Sequence, residues 1–315
     1  MDILQTVDGD GPPERLYGTD SGACFVGDSH DLMRYVPDDS VDLLLTSPPF
    51  ALTRKKEYGN KDADEYVDWF LTFVPGIKRI LKEQGSFVVD LGGAYLPGVP
   101  VRTIYQFDLL VRLCKEHGFF LAQEFFHYNP AKLPSPAEWV NVRRIRVKDA
   151  VNVVWWLSLC EEPKANNRSV LKPYSDSMKN LLKNGYRAKL RPSGHDISDN
   201  FSKENKGAIP PNLLSLPNTR SNTQYLRRCR EEDIRPHPAR FPEEFPQFFI
   251  DFLTEPGDLV LDIFAGSNTT GAVAERSTRR WLAFERDRAY AEASVFRFEV
   301  PGGLFEGVDS GAQQG

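Results

Sequence analysis

A chain of 315 residues, 41% of them apolar, can build one large α/β core carrying an insertion. No run approaches the roughly 20 apolar residues of a membrane span, and the acidic opening MDILQTVDGDGPPER does not read as a signal peptide. Cys24, Cys114, Cys160 and Cys229 lack the spacing of a zinc site or disulfide framework, so we expect a cytoplasmic setting and no metal. The net charge of −5 hides an asymmetry: residues 127–240 hold 21 Lys and Arg against 11 acids, and the rest 18 against 33. A basic middle between acidic flanks is expected when one lobe faces phosphates and the other does not.

In chain order, residues 1–15 read as a disordered N-terminus. Ala23–Val26 predicts a short strand ending in Gly27-Asp28-Ser29, and Val41–Thr46 a buried one. Asp64–Leu81 carries Tyr66, Phe70, Val74, Ile77 and Leu81 on one helical face, with a kink expected at Pro75. Ser86–Leu91 is a buried strand closed by Gly92-Gly93, Thr103–His117 a helix, and Phe119–Tyr128 and Ala150–Leu157 two further strands. Residues 160–235, rich in Ser, Asn, Pro, Lys and Arg, predict an irregular lobe. A helix at Glu243–Leu253 restores order, and a last helix is expected over Asp287–Phe298. Residues 301–315 read as a disordered tail.

The segment Asp258–Glu285 is one βαβ unit. Strand Leu259–Phe264 contains Asp262, the turn Ala265–Thr270 contains Gly266, Ser267 and Thr269, and strand Arg280–Glu285 ends in a second acid. The glycine turn lets a ligand approach the backbone, and Glu285 is placed to accept from ribose hydroxyls. The G-x-G-x-x-G of a dinucleotide site is absent, which disfavours a nicotinamide-dependent oxidoreductase. A nucleoside without phosphates, such as S-adenosylmethionine, suits the turn better. Upstream, Ser47-Pro48-Pro49-Phe50 leaves its strand with a hydroxyl, spare carbonyl acceptors and a flat ring. Such a corner suits a planar heterocycle bearing an amino group; it is equally compatible with a plain loop stop.

These residues carry a resemblance. Asp262-Ile263-Phe264-Ala265-Gly266-Ser267-Asn268-Thr269-Thr270 resembles the D-x-F-x-G-S-G-T-T cofactor motif of the amino-methylating DNA methyltransferases, with Asn268 in place of a glycine. Ser47-Pro48-Pro49-Phe50 resembles their catalytic motif. The catalytic motif precedes the cofactor motif, as in the circularly permuted beta class. The strings TSPPFALTRKKEYGN, GSFVVDLGGAY, KLPSPAEWVN, RPSGHDI, IPPNLL and HPARFP are similar to the PvuII-type cytosine-N4 methyltransferases of restriction–modification systems.

The resemblance implies an α/β, Rossmann-like S-adenosylmethionine-dependent methyltransferase fold with a mostly parallel, circularly permuted sheet and an irregular DNA-recognition lobe. Residues 16–159 would form the catalytic half of the core, 160–235 the target-recognition lobe and 236–300 the cofactor-binding half. The cofactor would be S-adenosylmethionine, held by Asp28, His237, Phe241, Asp262, Phe264, Gly266, Ser267, Thr269 and Glu285. Asp28 is equally a turn former, and His237 equally a structural hydrogen-bonder. The substrate would be a cytosine rotated out of double-stranded DNA. Phe50 would stack on it, while Ser47 and the Pro48 carbonyl accept its amino hydrogens and Pro49 stiffens the corner. Arg143, Arg144 and Arg146 beside Trp139, the Arg191-Pro192-Ser193-Gly194-His195 stretch, and Arg227 and Arg228 are the candidate DNA contacts; either arginine run also fits a solvated face. The resemblance further suggests the palindrome CAGCTG, a cognate restriction endonuclease and a monomer. Adenine N6 methylation and a non-catalytic DNA-binding protein are the rival readings. Carbon-5 chemistry is disfavoured, since no Pro-Cys pair exists.

Overall fold

The computed structural model describes residues 4–7, 11–51, 63–184, 205–219 and 223–298. The predicted disordered tail lies outside them, as do residues 1–3 and 8–10 of the predicted disordered N-terminus; within its described part, Gln5 N donates to the Tyr35 carbonyl at 2.8 Å and Arg15 opens the first strand. The chain divides into two compact units, one of residues 1–165 and 212–315 and a smaller one of residues 166–211.

The larger unit is built on a sheet that, among the described residues, has nine strands: β1 Arg15–Gly18, β2 Gly22–Val26, β3 Val41–Thr46, β4 Leu81–Gly92, β5 Phe120–Tyr128, β6 Val151–Ser158, β7 Leu213–Ser215, β8 Leu259–Asp262 and β9 Arg280–Glu285. Their order is β1-β2-β9-β8-β3-β4-β6-β5-β7. The run β2-β9-β8-β3-β4 is parallel, and β6 lies antiparallel to both β4 and β5. Strand periodicity explains why the central strands read as unbroken apolar runs. Leu44, Phe87, Val89, Leu261 and Leu282 belong to the core on one face, and Leu43, Leu45, Val88, Val260 and Trp281 to the core on the other.

Helices cover both faces. α1 (Ser29–Met33), α2 (Ala63–Leu71), α3 (Val74–Ile80) and α4 (Tyr105–Lys115) cover the first face, through Leu32, Phe70, Ile77 and Leu109 among others. In the smaller unit, α5 spans Asp176–Asn184. The second face carries α7 (Glu244–Leu253), α8 (Thr269–Arg276) and α9 (Arg288–Ser294), with Phe249, Val273 and Ala291 in its core. α6 (Gln224–Glu231) packs with Phe296 through its buried Tyr225 and Cys229.

Three expectations change. Asp64–Leu81 is two helices rather than one kinked helix, because Pro75 has no N–H for the Leu71 carbonyl and its ring crowds it. The helix therefore ends at Leu71, and Pro75 enters the first turn of α3, where no intrahelical donor is needed. Leu81 opens β4 instead of closing a helix. Residues 212–235, grouped with the irregular lobe by composition, cluster with the core, supplying β7 and α6. Only Tyr225, Leu226 and Cys229 mark α6 as apolar on one side, too faint a stripe to see among four charged residues.

The strands are wound so that β8 leads through α8 to β9 on one face, and β3 through α2 and α3 to β4 on the other. The reversal lies between β3 and β8, whose pairing covers only Leu43–Val260 and Leu44–Leu261. Ligands of doubly wound sheets bind at such a switch point, beyond the carboxyl ends of the strands.

Candidate active site

A cavity of about 610 Å³ opens at that edge, within the range of small-molecule sites. Its walls are the loops leaving β2, β3, β8 and β9, the adjoining ends of β5 and β6, and the segment from His237 to Pro242.

The loop after β8 is set by residues that satisfy one another. Asp262 is buried, and its carboxylate accepts from the hydroxyls of Thr46 and Thr270, each at 2.7 Å, and from the Phe264 N–H at 3.0 Å. Burial pushes its pKa up to about 6, against those three donors. Asp262 does not line the cavity. Its observed partners tie β8 to β3 and fix the turn, so the expected direct contact with a ligand gives way to a supporting role. Gly266 has φ +53°, and a Cβ there would stand 3.1 Å from the His237 ring. Only glycine meets both conditions without strain. Asn268 is also left-handed, at φ 50°; its Oδ1 accepts from Gly271 N at 3.0 Å and its Nδ2 donates to the Tyr17 hydroxyl at 2.9 Å. Asparagine visits this region more readily than other side chains and caps helices well, which is how the departure from glycine is accommodated.

Glu285, at the end of β9, accepts from Gly266 N at 2.7 Å through one oxygen and from Asp287 N at 2.8 Å through the other. Burial raises its pKa, offset by the two backbone donors. Each oxygen keeps lone-pair capacity for a further hydroxyl. The glycine-loop amide that would meet a pyrophosphate in a dinucleotide site is thus taken by a carboxylate, and Asp28 stands on the same wall. Such walls suit an uncharged or cationic nucleoside, and the donor set fits S-adenosylmethionine. Asp28 accepts from His30 N at 2.9 Å as the N-cap of α1, so it is a turn former and a wall residue at once.

Phe264, Ser267, Thr269, His237 and Phe241 also line the cavity. His237 lines the cavity and is a structural hydrogen-bonder as well. Its N–H donates to the Tyr225 hydroxyl at 2.9 Å, its Nδ1 donates to the Ala239 carbonyl at 2.5 Å, and its ring faces Gly266. Two aromatic wall residues were hidden in a helical pattern: Trp69 and Phe73, 5.8 and 5.2 Å from the Phe264 ring. A further brace comes from behind. Arg297, almost wholly buried, donates to the Ser267 carbonyl at 2.6 Å and its hydroxyl at 2.9 Å, and lies 4.5 Å over the Tyr225 ring. Burial pulls its guanidinium pKa down to about 10, with Glu243 opposing.

The loop after β3 forms the other half. Ser47, Pro48, Pro49 and Phe50 all line the cavity. The Phe50 ring lies over Gly92, where a Cβ would meet it at 2.5 Å. The Ser47 hydroxyl donates to an Asp90 carboxylate oxygen at 3.2 Å. Asn152 donates to both Asp90 oxygens at 3.2 Å, and His127 Nδ1 stands 3.7 Å from one of them. His127 stacks on Phe245, and neither ring nitrogen has a hydrogen-bond partner among the described residues. Asp90, Asn152 and His127 escaped the sequence reading because nothing local marks them. The antiparallel register of β4, β6 and β5, pairing Gly92 with Asn152 and Asn152 with His127, puts them on one face beneath Ser47.

The candidate DNA residues divide. Arg143, Arg144 and Arg146 are exposed on the segment joining β5 to β6, with Arg143 5.1 Å over the Trp139 ring. Arg191, Ser193 and His195 lie outside the described residues. Arg227 and Arg228 sit on α6, where Arg228 meets Glu231 and Glu232 at 3.2 and 3.0 Å and Arg227 meets Glu231 at 3.7 Å. Neither lines the cavity; the cations that do are Lys132, Arg240 and Arg286. None of the four cysteines lines it either, and no group of three metal-ligating side chains occurs among the described residues. No helix among them is long and apolar enough to cross a membrane.

A family model described as DNA methylase matches residues 41–296. The chain is 58% identical over 285 residues to the Type II methyltransferase M.PvuII of Proteus hauseri, covering 90% of this chain and 85% of that protein. A solved structure of the PvuII DNA methyltransferase (cytosine-N4-specific) superposes with a TM-score of 0.76 at 49% identity, over 93% of this chain and 91% of that one. The putative DNA modification methylase TTHA0409 of Thermus thermophilus, solved with S-adenosyl-L-methionine, shares the fold at 19% identity and a TM-score of 0.54, over 89% and 96% of the two chains. With one model spanning most of its length and a relative alike over nine-tenths of it, the chain belongs to the DNA methylase family.

Proposed function

We propose that this protein is a site-specific DNA methyltransferase that moves the methyl group of S-adenosylmethionine to the exocyclic N4 of a cytosine flipped out of duplex DNA. The observation that carries the reading is the hydrogen bond from Ser47 to Asp90 at the cavity wall. With its proton directed at a carboxylate, the Ser47 oxygen presents lone pairs, and so accepts an amino hydrogen rather than donating to a ring nitrogen.

Asp28, Phe264, Gly266, Ser267, Thr269 and Glu285, with His237 and Phe241, would hold the cofactor. When bound it supplies an electrophilic sulfonium methyl. Phe50 stacks on the base, and Ser47 and the Pro48 carbonyl hold its amino group. The cytosine amino nitrogen is a poor nucleophile because its lone pair is delocalised into the ring. Two acceptors localise that pair, and the acceleration comes from positioning and electrostatics. Asp90, fixed by Asn152, faces the positive charge that develops on the base and is one hydrogen bond from the proton it releases. Arg143, Arg144 and Arg146 contact phosphates, with Arg191, Ser193 and His195 as further target contacts.

The close likeness to M.PvuII supports cytosine over adenine and a place in a restriction–modification pair. A CAGCTG site, a monomeric state and a cytoplasmic location belong to the same reading. The test is incubation with unmethylated plasmid and labelled S-adenosylmethionine, followed by digestion to nucleosides and mass analysis. Label in N4-methylcytosine is expected. Label in N6-methyladenine would show that Ser47 does not choose the base, and DNA binding without label would favour the non-catalytic reading.

A further inference from the structure

The segment joining β5 to β6 rises directly from the cavity wall: Asn129, Lys132, Ala150 and Asn152 at its two feet all line the cavity. Between them it holds a fixed shape. Asn129 N donates to the Ala150 carbonyl at 2.9 Å, Asp149 N to Ser135 at 3.1 Å and Ile145 N to Trp139 at 2.9 Å. Lys148 Nζ donates to the Pro130 carbonyl at 2.9 Å and to Lys132 at 3.3 Å, stitching the outgoing arm to the returning one. Arg102 pairs with Asp149 at 2.7 Å, and Arg146 donates to the Pro100 carbonyl at 2.9 Å.

This ordered loop displays apolar side chains to solvent. Leu133, next to Lys132 and flanked by Pro134, is 81% exposed, and Val147, next to Lys148, is 86% exposed. Single exposed aliphatics are ordinary on a surface. Here two of the most exposed among the described residues stand on stitched arms at a cavity mouth, among Arg143, Arg144, Arg146 and Lys148. Apolar tips among cations match a partner that presents phosphates outside and apolar base faces within. A flipped nucleotide leaves such an opening in the stack, at the cost of lost stacking and pairing. DNA-bending proteins fill comparable openings with Leu, Ile, Met, Phe or Pro wedges.

We propose that Leu133 is the wedge that enters the duplex where the target cytosine has left it, with Val147 supporting it and the loop arginines holding the flanking phosphates. The proposal rests on the methyltransferase reading above. It makes Leu133 a residue that holds the extrahelical state and takes no part in methyl transfer.

The test uses the full-length protein and a synthetic duplex carrying the site that the wild type methylates on plasmid DNA. A second duplex opposes the target cytosine with a mismatched base, so that flipping is nearly free. Leu133→Gly is expected to lose at least tenfold in kcat/KM on the paired duplex and to stay within threefold of wild type on the mismatched one. Leu133→Met is expected to recover most of the loss. An unchanged ratio of paired to mismatched rates in Leu133→Gly would overturn the wedge. So would a concentration-dependent dimer, seen by sedimentation, that Leu133→Gly abolishes while methylation is unaffected, since the tip would then serve contact between copies. Failure of the wild type itself to methylate any DNA would overturn the methyltransferase reading and the wedge together.

Discussion

The two halves of the cavity are finished to different degrees by the protein itself. Around the loop after β8 nearly every polar group is answered from within: Asp262 by three donors, the Gly266 amide by Glu285, and Ser267 by Arg297. Around the loop after β3 only one side is answered. Ser47, Asp90 and Asn152 form a chain that ends at the cavity, and the His127 nitrogens beside it lack hydrogen-bond partners among the described residues. The difference teaches how the work is divided. In the proposed reading, a cofactor of fixed shape meets a wall held rigid before it arrives, which lowers the cost of binding it, and a base extracted from DNA meets acceptors whose valences are still open.

The comparison is sharpest at Asp90. Asp90→Asn keeps the volume but lets an amide donate toward Ser47, turning the hydroxyl away from its acceptor role. Single-turnover methyl transfer should fall by about 10² to 10³-fold, while cofactor affinity by calorimetry stays within about threefold. A comparable loss of affinity would mean that the two halves are not separable.

Arg297 tests the other half from behind the wall. Arg297→Leu removes two hydrogen bonds to Ser267 without touching the cavity surface. Cofactor affinity should weaken by about tenfold, or about 1.4 kcal/mol, with the single-turnover rate at saturating cofactor little changed. A drop in that rate with unchanged affinity would break the assignment.

Asp262 is expected to act on stability alone. Its folded pKa of about 6 lies above the ordinary 3.8, so its contribution is full below about pH 3.8 and is lost as pH rises through about 6. Relative to Asp262→Asn, the wild type should therefore lose up to about 3 kcal/mol between pH 3.5 and pH 7, read from urea unfolding at both. A gap independent of pH would show that the carboxylate is as comfortable ionised in the fold as in the unfolded chain.

The same contrast explains what the sequence made visible. Gly266, Glu285 and the Ser47–Phe50 corner are local signals, because a turn chemistry and a strand end stand together within a few residues. Asp262 was equally visible, yet its role depends on Thr46, 216 residues away, and a carboxylate at a strand end looks alike whether it faces a ligand or a hydroxyl. Asp90 sat unremarked inside a buried strand, and His127 and Asn152 acquire meaning only through antiparallel register, which no periodicity reveals. Trp69 and Phe73 lay unremarked within the predicted helix Asp64–Leu81, and they pack on the core as well as lining the cavity. Arg227 and Arg228 show the reverse: their charge is plain in the sequence, while their pairing with Glu231 and, for Arg228, Glu232 emerges from helical spacing.

The most direct test of this division is a crossed measurement on two variants, Ser47→Ala and Glu285→Ala, each assayed for cofactor affinity and for single-turnover transfer at saturating cofactor. Ser47→Ala should bind cofactor like the wild type and transfer at least a hundredfold more slowly. Glu285→Ala should bind at least tenfold more weakly and transfer, once saturated, within about threefold of the wild type. Parallel losses in both quantities for both variants would contradict the account.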